Sequence, residues 1–409
     1  MARRGSIGAG AALAFAAMTQ TAGAVDAVAS SGAAELYPQW NNAFEVNVRL
    51  DGTFASRNRP SRFTNVFADV EWRSALHFDQ RLSVQTLVQF EQVREPTGDG
   101  FFRNQGLFLR NLYLNYAGDG FSLYGGKYDP GFGILWSEDL PGLFTSFFTG
   151  SYMLTEGIGA GGGYVIPTLG WGEHEIAFNL FGFDNTALSN STFTRPAFGA
   201  FDTERPGRLR FANGGPGNTR GPTSFSVTLN GGDMPQLPGV SYHLAFLRLA
   251  RGSEQPDAEA SRNVYGFAAG LQWSRRIAPD WRVQAALEGV WFWNVNQGDD
   301  ENGDPAFGRQ RLITALAALE YDDRWLLSGA TTLRTDTVRA PGLSQSPTDW
   351  LITASLEYMP VRGMRLGVGY RAVREVPLSG DDTRQYTSHT VGVRFRYVVG
   401  APTITLARR

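Results

Sequence analysis

The chain has 409 residues, with 37 Lys and Arg against 39 Asp and Glu, and no cysteine. The missing cysteine excludes disulfides, thiolate metal sites and cysteine nucleophiles, and the near-balanced charge excludes the basic footprint of a nucleic-acid binder. Beyond the N-terminal stretch no uninterrupted apolar run reaches about 18 residues, so any membrane crossing has to be made by strands.

Arg3 and Arg4 precede an apolar, Ala-rich run from Ile7 to Met18, and Ala22-Gly23-Ala24 follows as a small-x-small cleavage pattern. This predicts an export signal peptide over residues 1–24, leaving 25–409 as one domain. The remaining chain carries 35 basic residues (37 less Arg3 and Arg4) against 39 acidic, a net of −4. From there the grammar is that of strands. Phe44, Val46, Val48 and Leu50 alternate with Glu45, Asn47, Arg49 and Asp51. Val66, Ala68, Val70 and Trp72 oppose Asp69, Glu71 and Arg73, and Leu82, Val84, Val88 and Phe90 oppose Ser83, Gln85, Gln89 and Glu91. The pattern returns at 265–273, 325–333 and 350–358, and it closes the chain, where Val391, Val393, Phe395 and Tyr397 alternate with Gly392, Arg394 and Arg396. A period of two gives each strand two chemically different faces.

The connections alternate as well. Tight links near Asp79, Gly118, Arg276 to Asp280, Asp322-Asp323 and Pro360 to Gly363 take turns with long ones near 96–104, 129–150, 185–221, 252–259, 297–308, 340–347 and 376–385. Short turns on one rim and long loops on the other are the mark of an outer-membrane barrel. The expected fold is therefore all-β: a transmembrane antiparallel β-barrel of about sixteen strands with long external loops and short periplasmic turns. Aromatics such as Trp72, Trp273, Trp281, Trp325, Trp350 and Tyr358 cluster near strand ends, where amphipathic rings meet headgroups.

The link between the fifth and sixth strands, about 129–150, is unusually apolar for a loop, with Phe132, Trp136, Phe144, Phe147 and Phe148. Such a segment should pack against something, and the barrel interior is available. Taken together, the export signal, the strand count and the long third loop make the chain resemble the Gram-negative porins across its whole mature length. Gly125-Gly126-Lys127-Tyr128-Asp129-Pro130-Gly131-Phe132-Gly133 is similar to the strand-to-loop passage of the phosphate-selective porin group, although the third loop here carries no Arg or Lys. The resemblance implies a homotrimer in outer-membrane lipid and lipopolysaccharide, with the third loop folded into each channel. It further implies acids on that loop, Glu138 and Asp139, facing a basic wall patch. The wall candidates are Arg49, Arg73, Arg365, Arg371, Arg394 and Arg396, from the first two and last two strands. Only one of the 37 basic residues, Lys127, is a lysine, so the choice of Arg over Lys says nothing about bidentate anion binding.

Other motifs carry little. Asp300, Asn302 and Asp304 have the one-three-five spacing of a calcium loop, but Pro305 stands where glycine is needed. Ser388 and His389 are adjacent, so on a strand they point to opposite faces and cannot form a nucleophile pair, while His243 with Ser226 stays open. No cofactor and no enzyme activity are implied. The expectation is a water-filled porin passing small hydrophilic solutes and ions by diffusion. The alternatives are an anion- or substrate-selective channel and, from a different class, a secreted all-β carbohydrate-binding sandwich.

Overall fold

The computed structural model describes residues 36–57, 61–94, 96–137, 140–168, 170–192, 209–253, 262–299, 305–340, 343–345, 347–375 and 386–405. The period-two pattern becomes one sheet of eighteen hydrogen-bonded segments, and two of these, Gly100–Phe101 and Leu343–Gln345, are only two and three residues long. The other sixteen cross the wall. In chain order they are β1 (Gln39–Ser56), β2 (Thr64–His77), β3 (Leu82–Gln92), β4 (Gln105–Ala117), β5 (Phe121–Tyr128) and β6 (Gly157–Thr168). They continue with β7 (Gly172–Phe183), β8 (Ser224–Gly232), β9 (Val240–Leu249), β10 (Val264–Ala278) and β11 (Trp281–Asp299). The last five are β12 (Pro305–Tyr321), β13 (Trp325–Ala340), β14 (Thr348–Tyr358), β15 (Met364–Glu375) and β16 (Tyr386–Thr405).

Each strand pairs antiparallel with its sequence neighbours, and β1 pairs with β16 from Gln39↔Thr405 to Ser56↔Ser388, so the sheet closes on itself. Closure removes the unpaired edges that hydrocarbon cannot tolerate. It also overturns the carbohydrate-binding sandwich, because there is one continuous sheet and no second layer facing it. The connection order is kept all the way round. Links of 78–81, 118–120, 169–171, 233–239, 279–280, 322–324 and 359–363 lie on one rim, and the links that alternate with them, most of them longer, lie on the other. At 322–324, Asp322 and Asp323 take φ of 54° and 50°, the left-handed values that the central residues of a type I′ turn need. Between β11 and β12 the pairing runs further than the sequence suggests, so the strands reach Asp299 and Pro305 inside the expected loop at 297–308.

The sheet is inverted relative to a soluble protein. Leu244, Phe246, Phe267, Leu271, Leu287, Ile313, Leu327, Leu333, Ile352, Leu356, Val391 and Val393 are exposed on the outside. Thr314, Thr332, Thr353, Ser355, Glu357, Thr390 and Arg394 are buried on the inside. Ring pairs sit at the short-turn rim, with Trp281 on Tyr321 at 4.6 Å and Trp325 on Tyr358 at 4.5 Å. Such a belt suits a membrane interface.

Candidate functional site

The segment after β5 turns into the barrel. Its entry is fixed at Asp129, whose carboxylate accepts the Glu156 backbone N–H at 2.9 Å and pairs with Arg110 of β4 at 2.9 Å. Beyond it, Phe132, Ile134, Leu135, Leu143, Phe144, Phe148 and Tyr152 are buried. They pack against one half of the inner wall, where Leu247, Val264, Val290, Phe292, Leu312, Leu351 and Val373 occupy inward positions. These apolar residues break the polar-inside rule of a water-filled barrel. They form a dock for the loop. Glycines make the room: a Cβ at Gly266 would lie 2.9 Å from the Phe132 ring, one at Gly270 2.6 Å from Ile134 and one at Gly392 2.7 Å from the Phe144 ring.

Polar contacts fix the loop backbone to the wall. Ile134 and Leu135 donate their N–H groups to the two oxygens of Glu288 on β11, at 2.7 and 3.0 Å. Tyr152 donates its hydroxyl to the same carboxylate. Gly133 N–H donates to His243 Nε2 at 3.2 Å, and His243 Nδ1 faces Asn230 Oδ1 at 2.6 Å, an arrangement satisfied by a neutral ring with its proton on Nδ1. Further along, Gly142 N–H donates to Glu357 Oε1 at 3.0 Å and Leu143 N–H to Ser355 Oγ at 3.0 Å. A loop without its own ladder must satisfy its N–H groups elsewhere, and here wall carboxylates do it.

The six wall arginines come together across the closing seam, as strand order requires. Arg49 of β1 lies opposite Arg394 of β16, and Arg365 of β15 lies opposite Arg396. Their acids are on the wall itself. Arg394 pairs with Glu357 at 2.5 Å, and Arg365 approaches the same group at 3.6 Å. Arg396 pairs with Glu45 at 2.5 Å, Arg73 reaches Glu45 at 3.3 Å and also pairs with Glu71, and Arg49 pairs with Asp51 at 2.8 Å. What the described part of the loop presents to them is aromatic. Arg49 and Arg371 lie 4.4 and 4.9 Å from the Phe144 ring, and Arg371 lies 4.0 Å from Phe147. Arg371 itself has a Thr390 hydroxyl at 3.4 Å and no carboxylate partner among the described residues. The expected loop acids, Glu138 and Asp139, lie outside the described residues.

Between the loop and the β1–β4 side of the wall remains a polar cavity of about 230 Å³. Glu45, Glu71, Glu91 and Asp129 line it together with Arg73, Arg110 and Arg396. Arg110 also donates to Gln89 Oε1 at 3.0 Å. Of these seven charges sequence reasoning singled out only Arg73 and Arg396. Glu45, Glu71 and Glu91 were legible as inward positions of their strands. Arg110 was not, because a register shift between Leu87 and Val88 sits next to it in the β3–β4 pairing. Lys127, in the stretch similar to phosphate-selective porins, is buried in an ion-pair cluster with Glu156 at 2.9 Å and Asp184 at 2.7 Å.

No protein-family model and no curated protein matches this sequence. Solved structures do match the fold. The chain aligns with Salmonella typhi OmpF, solved as a complex with daunomycin, at 13% identity and a TM-score of 0.53 over 90% of this chain and 100% of that one. It aligns with the outer-membrane channel DcaP of Acinetobacter baumannii at 12% identity and a TM-score of 0.50, over 90% and 99%. The outer-membrane protein OmpT of Vibrio cholerae gives 11% identity and 0.50, over 90% and 100%. The fold is that of the Gram-negative outer-membrane porins: a closed antiparallel barrel of sixteen strands with a long third loop turned inward.

Proposed function

We propose that this chain is an outer-membrane channel for passive diffusion of small hydrophilic solutes and ions. The observation that carries the reading is the charged cavity between the inner loop and the β1–β4 wall. An apolar plug would fill a barrel without leaving charge in it. Here one half of the lumen docks the loop and the other half keeps seven acidic and basic side chains around open space. Opposed charges across a narrow gap order water and favour polar solutes over apolar ones. In this reading Arg49, Arg73, Arg365, Arg371, Arg394 and Arg396 line the constriction side of the wall, with Glu138 and Asp139 as the loop acids. Residues 1–24 direct export, and the barrel sits as a homotrimer among lipid and lipopolysaccharide. One of the solved OmpT forms of Vibrio cholerae is described as a trimer, which supports that assembly.

A general channel is favoured over an anion-selective one because four carboxylates and three guanidiniums line the cavity. Liposome swelling with neutral sugars of graded size tests the proposal. Liposomes carrying the protein should swell in the smallest sugars and progressively less as size rises. Swelling no faster than in protein-free liposomes would sink it.

A further inference from the structure

A second basic cluster lies on the outside of the barrel. At the long-loop rim, where β1, β15 and β16 meet, Arg57, Arg62, Arg374, Thr387 and His389 line one pocket with Ala55 and Ser56. Alternation places it on the lipid side. Thr390 is buried in the lumen while Val391 is exposed outside, so Thr387 and His389 share the outer face of β16. Arg374 likewise shares the outer face of β15 with the exposed Leu366, Val368 and Tyr370. His389 Nδ1 meets the Tyr370 hydroxyl at 2.7 Å, and its ring lies 6.2 Å from the exposed Phe54. The pocket therefore begins just beyond the outward rings of Phe54 and Tyr370.

Among the described residues its charge is uncompensated. Among the described residues no carboxylate lines it, and Arg57, Arg62 and Arg374 have no ion-pair partner. Arg62 uses Nε on the Ser56 carbonyl at 2.7 Å and Arg374 uses Nη2 on the Thr348 carbonyl at 3.1 Å, which fixes both side chains and leaves their other nitrogens to donate. Arg374 Nε is buried without any hydrogen-bond partner. On the lumen side, by contrast, Arg394 pairs with Glu357 and Arg396 with Glu45. Two held guanidiniums and a third beside them, with no acid among the described residues, suit a dianionic oxygen ligand, to which each presents several donors.

We propose that this pocket binds a phosphate group on the headgroup of an outer-leaflet glycolipid. The inference rests on the placement of the barrel in an outer membrane, and it does not depend on conductance. At headgroup depth, basic side chains above an aromatic belt are attracted to anionic lipid. To test it, purified protein in a non-ionic detergent is titrated with bisphosphorylated lipid A, with dephosphorylated lipid A and with inorganic phosphate, and bound lipid is counted by native mass spectrometry. The phosphorylated lipid should bind roughly tenfold or more tightly than the dephosphorylated one. The triple variant R57Q/R62Q/R374Q should lose that preference, and R276Q at the opposite rim should keep it. Heat-modifiable gel migration checks that each variant is folded, and R374Q alone serves if the triple variant is not. Equal binding of the two lipids, or an unchanged preference in the arginine variants, would overturn the site. Displacement of the lipid by stoichiometric inorganic phosphate would overturn its assignment to a lipid. A barrel that binds lipid A but shows no conductance would leave the site standing and remove the channel reading instead.

Discussion

Glu357 of β14 and Arg394 of β16 meet inside the barrel at 2.5 Å, and the same carboxylate holds the loop through Gly142 N–H at 3.0 Å. Glu357 thus ties the wall to itself and the loop to the wall. Replacing it with Gln keeps a hydrogen-bond acceptor but leaves a buried guanidinium without its counter-ion. The E357Q variant should lose about 1–3 kcal/mol of stability in urea unfolding followed by tryptophan fluorescence. A midpoint equal to wild type would mean that the pair is idle.

Glu288 makes the matching anchor at the start of the loop. It is 1% exposed and takes two backbone N–H groups and the Tyr152 hydroxyl. E288A orphans those donors, each worth roughly 1–3 kcal/mol when buried and unmet. The loop should then detach more easily while the strands hold. The check is limited proteolysis of the folded barrel, with new cleavage expected within 132–152. Continued resistance would show that the apolar dock alone suffices.

Gly392 tests the dock from the other side. A side chain there would press on the Phe144 ring, since a Cβ would already lie 2.7 Å away. G392V should cost about 1–3 kcal/mol through overpacking and should alter conductance by displacing the loop. G52V, whose Cβ would meet only the Thr64 hydroxyl at 3.8 Å, is the control expected to change little.

Selectivity follows from fixed charge. R110Q removes a guanidinium from the cavity and leaves Asp129 unpaired, so reversal potentials in a salt gradient should move towards cations. E138Q/D139N should move them towards anions, with assembly intact. If neither variant moves the potential, these residues lie away from the narrowest point.

Asp184 sits just beyond β7 in the cluster of Lys127 and Ser189. Burial alone would raise its carboxyl, but hydrogen bonds from Lys127, Ser189 and Thr186 outweigh it and hold the group below the ordinary carboxylate value of 3.8. A lowered carboxyl adds stability at pH above that ordinary value, and the contribution fades as pH falls through the depressed one. D184N should therefore lower the midpoint at neutral pH and converge with wild type in strong acid. A constant offset down to pH 2 would contradict the assignment.

Much of the fold was readable because lipid imposes it. Val391, Val393 and Phe395 must face outward and Gly392, Arg394 and Arg396 inward, and sixteen such strands leave few alternatives. The seam that gathers Arg49, Arg394 and Arg396 followed from closure alone. What stayed hidden was the inside of the inside. The inward Leu247, Val290 and Leu351 look like noise in a polar face until a loop is seen to need them. The glycines at 266, 270 and 392 gave the same signal and went unread. The wall acids that pair with these arginines stayed hidden too: Glu45 and Glu357 reach Arg396 and Arg394 across strands, a pairing that strand periodicity alone does not reveal.

Single-channel recording of the purified, refolded protein in a planar bilayer decides whether the barrel conducts. Discrete, long-lived conductance steps in groups of three are expected. Protein shown to be folded by heat-modifiable migration, yet giving no steps, would contradict the channel reading.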